Sequence, residues 1–150
     1  MTESNRTGTI WFDGASRGNP GKSGAGAVFL SPSGEEFTNY SYLDIATNNL
    51  AEYTGLKLGI ELAVKYIHDH KEDKFEKLII YGDSELIIKQ LTGEYRVKNE
   101  RLKVLYDDIQ LSLKEIKSNL PDIEIDYKHL PRELNKKADS LANRAIDTSR

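Results

Sequence analysis

The chain contains no cysteine. That removes disulfide frameworks, thiolate metal sites and cysteine nucleophiles, and is compatible with a reducing compartment, so the cytosol is the expected location. No apolar run approaches the roughly 18 residues needed to cross a bilayer, and the opening stretch MTESNRTG lacks the apolar segment of a secretory signal. A soluble protein without a membrane partner is expected. Strong charge of either sign is also missing: 24 acidic and 21 basic side chains leave a net charge of −3. The whole-molecule field therefore gives no reason to expect a polyanion ligand, and any such site must be local. Basic residues do bunch at Arg96, Lys98, Arg101 and Lys103, and again at Arg132, Lys136 and Lys137, a pattern that a solvated helix face also produces. Repeats and low-complexity segments are absent.

A length of 150 residues is enough for one domain with a proper core and no need of a covalent or metal staple. Residues 1–6 are expected to be a disordered polar tail ahead of a single domain over residues 7–150. TIWFDG reads as a strand that Asp13 closes, before a turn rich in glycine, asparagine and proline. GAGAVFL and EFTNYSY are further strands joined through Pro32 and Gly34, making a three-strand antiparallel meander. From Asn49 to about His70, Tyr53, Leu56, Ile60, Ala63 and Ile67 step by three and four along one helix face, with Glu52 in the first turn. KLIIYGD lacks clean alternation, as a buried parallel strand does, and SELIIKQL follows as a short helix, which puts Asp83 at the carboxyl end of a strand. A long amphipathic helix over 99–120 stops at Pro121. IEIDYKH alternates as a strand. The last helix buries Leu134, Ala138, Leu141, Ala142 and Ala145, with Asn135, Asp139 and Asn143 spaced by four on an adjoining face. A meander followed by alternating strands and helices predicts an α/β fold with a five-stranded mixed sheet and helices packed on both faces.

Some chemistries are excluded by spacing. GKS after a glycine-rich turn suggests a phosphate-binding loop, but that motif requires glycine five positions before Gly21, where Ser16 stands. No G-x-S-x-G nucleophile elbow occurs, so a serine hydrolase triad is unsupported. What remains is a set of four carboxylates, Asp13, Glu52, Asp83 and Asp139, each at a strand end or on a helix face. An isolated one of these is most simply a turn-former or a cap. Four converging through the fold make a hard-cation site, and a ligand set without His or Cys suits Mg²⁺ or Mn²⁺ over zinc. Crowded without metal, the four should repel and raise one another's pKa.

The blocks DGASRGNPG, TNNLAEY, GDSELI and HLPRELNKKADSLA, holding those four carboxylates in order over residues 9–146, resemble the signature blocks of type 1 ribonuclease H. The resemblance implies the ribonuclease H fold and endonucleolytic hydrolysis of the RNA strand of RNA/DNA hybrids, leaving 5′-phosphate and 3′-hydroxyl ends. It also implies two Mg²⁺ ions bound with substrate, Mn²⁺ being a possible substitute. Asp13 would bridge both ions, Asp139 would complete the water-activating side, and Glu52 with Asp83 would hold the ion at the leaving oxygen. His129 stands ten residues before Asp139, where the family carries an auxiliary histidine; its phase with Ile123, Ile125 and Tyr127 equally allows a strand-end residue facing the core. Asn19, Thr47, Asn48 and Asn49 match positions that contact the hybrid's backbone and minor groove, and the same residues are good turn and cap formers.

The chain departs from the family in three places. Glu85 stands where a substrate-contacting glutamine is usual, so an extra anion lies among the substrate-binding positions. LPREL is shorter than the histidine loop of many bacterial members. After LTGEYRVKNERL the chain enters the long helix directly, without a basic protrusion, and no N-terminal hybrid-binding domain is expected. Hybrid binding must then depend on Arg96 to Lys103 and on Lys136 and Lys137, with a steep salt dependence. A monomer is expected. Other readings stay open: a relative that binds hybrid or double-stranded RNA without cleaving it, a structural protein whose carboxylates are caps, and an enzyme acting on RNA/RNA duplexes or as a detached part of a reverse transcriptase.

Overall fold

The computed structural model describes residues 6–149, and it is a five-stranded sheet in the order β3-β2-β1-β4-β5. Strands β1 (Thr7–Arg17), β2 (Gly21–Leu30) and β3 (Glu36–Ala46) form the antiparallel meander, and β4 (Lys77–Gly82) and β5 (Glu124–His129) add parallel to β1 and to each other. Helices α1 (Asn48–Asp69), α2 (Glu85–Leu91), α3 (Glu100–Asn119) and α4 (Lys136–Thr148) complete the fold, a single 3₁₀ turn at Arg132–Leu134 leading into α4. Of the polar N-terminal tail, residues 1–5 lie outside the described residues. Arg6, grouped with that tail on sequence, is instead held: its carbonyl accepts from Glu76 N at 2.8 Å and its guanidinium pairs with Asp73.

Helices α1 and α4 lie over β1, β2 and β3 from opposite faces, and α3 packs on α1. Both sheet-covering helices come close because they meet the sheet with small residues. On α1, Ala51, Gly55, Gly59 and Ala63 are all buried and spaced by four. A methyl group on Gly59 would lie 2.5 Å from Ile10 Cγ2, and one on Gly55 2.4 Å from the Asp13 carbonyl oxygen. On the other face, a methyl on Gly24 or Gly26 would come within 2.3 Å of the Ala142 carbonyl or 2.6 Å of the Ala138 carbonyl of α4. The core between the sheet and α1 contains Ile10, Phe12, Tyr53, Leu56, Ile60, Leu78, Ile80 and Ile109. At its far end Phe29 meets Tyr66, Phe37 and Phe75 at ring-centroid distances of 5.5, 6.2 and 6.3 Å. Truncating a fully buried residue such as Leu56 to alanine should cost about 2–5 kcal/mol.

Three local expectations change. β1 does not stop at Asp13: residues 14–17 go on pairing with 22–25 of β2, so Asp13 ends only the parallel β1–β4 pairing, which closes at Phe12↔Gly82. β4 is buried on one side only. Leu78 and Ile80 enter the core while Lys77, Ile79 and Tyr81 are half-exposed, because α4 covers β1 to β3 and leaves that face of β4 and β5 open. Leu134 is 66% exposed in the 3₁₀ turn and not part of the buried face of the last helix.

Candidate metal centre

Asp13, Glu52 and Asp83 each offer a carboxylate oxygen lying within 4.8 Å of the other two. Three separate local rules bring them there. Asp13 sits where β1 and β4 part, with its Oδ1 accepting from Gly14 N at 2.9 Å. Glu52 lies in the second turn of α1 and not the first, because Thr47 caps the helix ahead of Asn48: the threonine hydroxyl accepts from Leu50 N at 3.2 Å. Glycine at position 14 lets this turn reach the strand, since a methyl there would be 2.3 Å from Glu52 N. Asp83 follows the last residue of β4 and precedes Ser84, which caps α2 by accepting from Ile87 N at 3.3 Å and lies near enough to Glu52 to favour its charged form.

Asp139 stands outside that triad. It is half-buried in the first turn of α4, where Asn143 Nδ2 donates to its carbonyl at 3.0 Å and to Oδ1 at 3.3 Å. It is still near enough for its charge to act on Asp13. The four expected ligands therefore form a tight group of three with one neighbour on the α4 side.

The electrostatics follow from burial and crowding. Asp13 is only 4% exposed; burial first, then the charges of Asp83, Glu52 and Asp139, push its carboxyl up to about 8 against a lowering bond from Gly14 N. Glu52 is pushed up to about 7 by burial and by Asp83, opposed by the Ser84 hydroxyl and the Arg132 guanidinium. At neutral pH Asp13 is therefore held protonated and Glu52 about half protonated, and a cation bound among these carboxylates would exchange for those protons. The donor set is all oxygen, with no thiolate or imidazole in the group, which fits a hard divalent ion.

One buried residue ties these segments together. Asn135, 2% exposed, donates from Nδ2 to the Phe12 carbonyl at 2.9 Å and to Asp83 Oδ2 at 3.1 Å, and its carbonyl accepts from Asp139 N at 3.1 Å. The sequence placed Asn135 in phase with Asp139 but gave no sign of a bond to Asp83. Ser84 and Arg132 were also passed over as site residues. A serine between a strand-end carboxylate and a helix is a legible cap signal, whereas the approach of Arg132 to Glu52 has no local signature.

The remaining predicted residues lie around this centre. His129 is exposed at the end of β5, directly opposite Gly82 in the parallel β4–β5 register, so the core-facing alternative does not hold. Asn19 Oδ1 accepts from Asn48 N at 3.1 Å, which draws the loop after β1 to the start of α1. Asn48 is exposed and Asn49 half-buried in the first turn of that helix. Glu85 is exposed on α2 and pairs with Lys89 at 3.4 Å.

A family model described as reverse transcriptase-like matches residues 11–145. Ribonuclease HI of Halobacterium salinarum is 36% identical over 138 residues, covering 91% of this chain and 63% of that protein. A bifunctional protein of Mycobacterium tuberculosis is 36% identical over 142 residues, 93% of this chain and 35% of that protein. The chain thus spans less than two thirds of the length of either relative. Among solved structures, LC11-RNase H1 in complex with an RNA/DNA hybrid superposes with a TM-score of 0.77 at 34% identity, over 95% of this chain and 98% of that one.

Proposed function

Because the chain belongs to the reverse transcriptase-like family, and within it to type 1 ribonuclease H, we propose that it is an endonuclease that hydrolyses the RNA strand of RNA/DNA hybrids. The observation that carries this reading is the clustering of the Asp13, Glu52 and Asp83 carboxylates within 4.8 Å where the parallel pairing of β1 and β4 closes. These three, with Asp139 alongside, are the groups that would hold a pair of divalent ions. Mg²⁺ is favoured by the oxygen donors, with Mn²⁺ as the substitute. When bound, such ions supply an activated water and compensate the charge that builds on the phosphodiester.

The chain's own residues do the rest. Asn135 orients the Asp83 carboxylate through the bond described above, and Ser84 favours the charged form of Glu52. His129, exposed on the strand next to Asp83, carries a proton away from the reacting phosphate or assists release of product. Thr47 spends its hydroxyl on the α1 cap and Asn19 its carbonyl on Asn48 N, which leaves the Asn19 amide nitrogen and the Asn48 side chain to meet the hybrid's minor groove and its 2′-hydroxyls. Arg96, Lys98, Arg101 and Lys103 grip phosphates, so binding weakens steeply with salt. Double-stranded RNA is a secondary substrate to be tested; a monomer and a cytosolic location are proposed on composition alone.

The test is incubation of an end-labelled RNA/DNA hybrid with and without Mg²⁺, beside RNA/RNA and DNA/DNA duplexes. Internal cuts confined to the RNA strand, dependent on the ion and absent in Asp13→Asn, support the assignment. Cleavage by Asp13→Asn at the wild-type rate would remove it.

A further inference from the structure

The segment between α2 and α3, residues 92–99, contains Arg96 and Lys98 and has no regular structure. Most of it is exposed, Tyr95 to 48%. It turns back on α2 through Glu94 N and Tyr95 N, which donate to the Lys89 carbonyl at 2.9 and 3.2 Å. Beyond that point it is attached inward by Val97, which packs against the core, and by the Arg96 carbonyl, which accepts from Gln90 Nε2 at 3.4 Å.

Gln90 is 6% exposed, and its other amide atom, Oε1, accepts from the hydroxyl of Tyr53, a residue with no exposure. The orientation of this amide is forced. A carbonyl can only accept, so the nitrogen must face Arg96 and the oxygen is left for the phenol. Tyr53 is the neighbour of Glu52 on α1, and Ser84, the cap of α2 at its other end, directly follows Asp83. A buried chain of polar contacts therefore runs from the helix that presents Glu52, through Gln90, to the backbone of the basic loop.

We infer that Gln90 is a positioning residue that holds the Arg96–Lys98 loop in register with the metal centre, so that capture of the hybrid depends on it while the bond-breaking step does not. A loop held by one apolar side chain and one buried acceptor keeps its cations at a fixed distance from the scissile phosphate. Without the amide, Arg96 and Lys98 still carry charge but must be ordered at each encounter, and that ordering is charged against binding. The inference rests on the nuclease reading for its kinetic consequence, but the anchoring of the loop is independent of it.

The test uses the full chain. Gln90→Met keeps length and apolar fill but removes both amide contacts; Gln90→Glu keeps an acceptor for Tyr53 and loses the donor to Arg96. Both should raise KM for the hybrid about 5-fold with kcat within about 2-fold of wild type, and should lower the salt slope of binding by about one phosphate. Trypsin should cut after Arg96 and Lys98 about 10-fold faster, as expected when local opening becomes easier, with cuts in α1 and α3 unchanged. If Gln90→Met folds poorly, Tyr53→Phe carries the same test with a smaller effect, since it leaves the Arg96 bond in place. Unchanged KM and unchanged trypsin cutting in a folded Gln90→Met overturn the inference. A fall in kcat at constant KM also overturns it, and assigns Gln90 to the support of Glu52. Should wild type not bind or cleave hybrid at all, the nuclease reading fails, and the trypsin rates alone decide whether Gln90 anchors the loop.

Discussion

The side-chain amide of Asn135 donates to Asp83 Oδ2 at 3.1 Å, joining the residue just before α4 to the carboxylate just after β4. The same nitrogen donates to the carbonyl of Phe12, next to Asp13. Asn135 thus fixes the relative placement of three ligand-bearing segments. Asn135→Ala should leave the buried Phe12 carbonyl unpaired at a cost of about 1–3 kcal/mol, and should also reduce the rise in Tm that Mg²⁺ produces. Asn135→Asp, which replaces the donor by a further anion facing Asp83, should be worse without metal than the alanine variant. Melting curves over a Mg²⁺ titration check both; equal Mg²⁺ responses in Asn135→Ala and wild type would show that the amide only supports packing.

Asp13 and Glu52 make metal-free stability depend on pH in a direction opposite to ordinary acid denaturation. Both have folded-state pKa values above the ordinary carboxylate range, about 8 against 3.8 for Asp13 and about 7 against 4.5 for Glu52. A raised carboxyl favours the native state while it stays protonated, so this contribution is complete below about pH 4 and is lost as pH rises through about 7 and 8. In chelator, wild-type Tm should therefore fall between pH 5 and pH 8. Asp13→Asn, which cannot ionise at that position, should melt higher than wild type by an amount that grows with pH, and should not cleave hybrid. With Mg²⁺ present the wild-type trend should flatten or reverse, because the ion replaces the protons. A wild-type Tm in chelator that rises over this range would contradict the crowding of the carboxylates.

The sequence carried the elements because the relevant signals are local: the apolar stripe of α1, Thr47 as a cap former, the turn residues Pro32 and Gly34 between meander strands, and Pro121 after α3. It carried the ligands because strand ends and first helical turns are the places where side chains of distant segments can meet. It did not carry Asp139's offset from the triad, which depends on where the 3₁₀ turn at Arg132–Leu134 sets the start of α4. Nor did it carry the bond from Asn135 to Asp83, a contact across 52 residues. The continuation of β1 past Asp13 was hidden by GASRGNPG, whose composition reads as turn although its first four residues pair as strand. The open face of β4 was hidden for a related reason: Ile79 and Tyr81 look like core residues until the reach of α4 is known.

Gly55 translates that packing into function. Its missing side chain is what lets α1 lie against β1, since a methyl would sit 2.4 Å from the Asp13 carbonyl and 3.1 Å from that of Gly26, both rigid backbone. Gly55→Ala should destabilise by about 3 kcal/mol through overpacking, and should weaken Mg²⁺ binding by moving Glu52 away from Asp13. Gly34→Ala is the control. It has open space around it and a φ of +97°, so it should cost stability through backbone strain of about 1 kcal/mol and leave the Mg²⁺ response untouched. Similar loss of Mg²⁺ response in both variants would mean that stability, and not the spacing of α1 and β1, governs the site.

His129 is exposed beside the last residue of β4, where nothing in the core depends on its imidazole. His129→Ala should therefore leave Tm unchanged and lower kcat by about 10-fold, less than the roughly 100-fold or more of an essential proton-transfer group, as an auxiliary role requires. Loss of stability without loss of rate would return it to a structural role.

Glu85 puts a negative charge two residues after Asp83, yet its carboxylate is 3.4 Å from Lys89, whose ammonium also lies 5.2 Å from the centre of the Tyr95 ring. Glu85 is exposed and Lys89 half-buried, so the pair is screened by salt and contributes little. In Glu85→Gln the repulsion toward phosphate disappears and Lys89 is released to face the hybrid, two changes of the same sign. Affinity at low ionic strength should rise about 3-fold, and the gain should vanish as salt approaches the point where the Debye length falls to a few ångströms. Tm should drop slightly, because Glu85 sits in the first turn of α2 where a negative charge is favoured. Binding isotherms at several salt concentrations separate the two effects. A gain that persists at high salt would point to a direct hydrogen bond from the new amide to the hybrid, and no gain at any salt would mean that Lys89 already neutralises Glu85 in full.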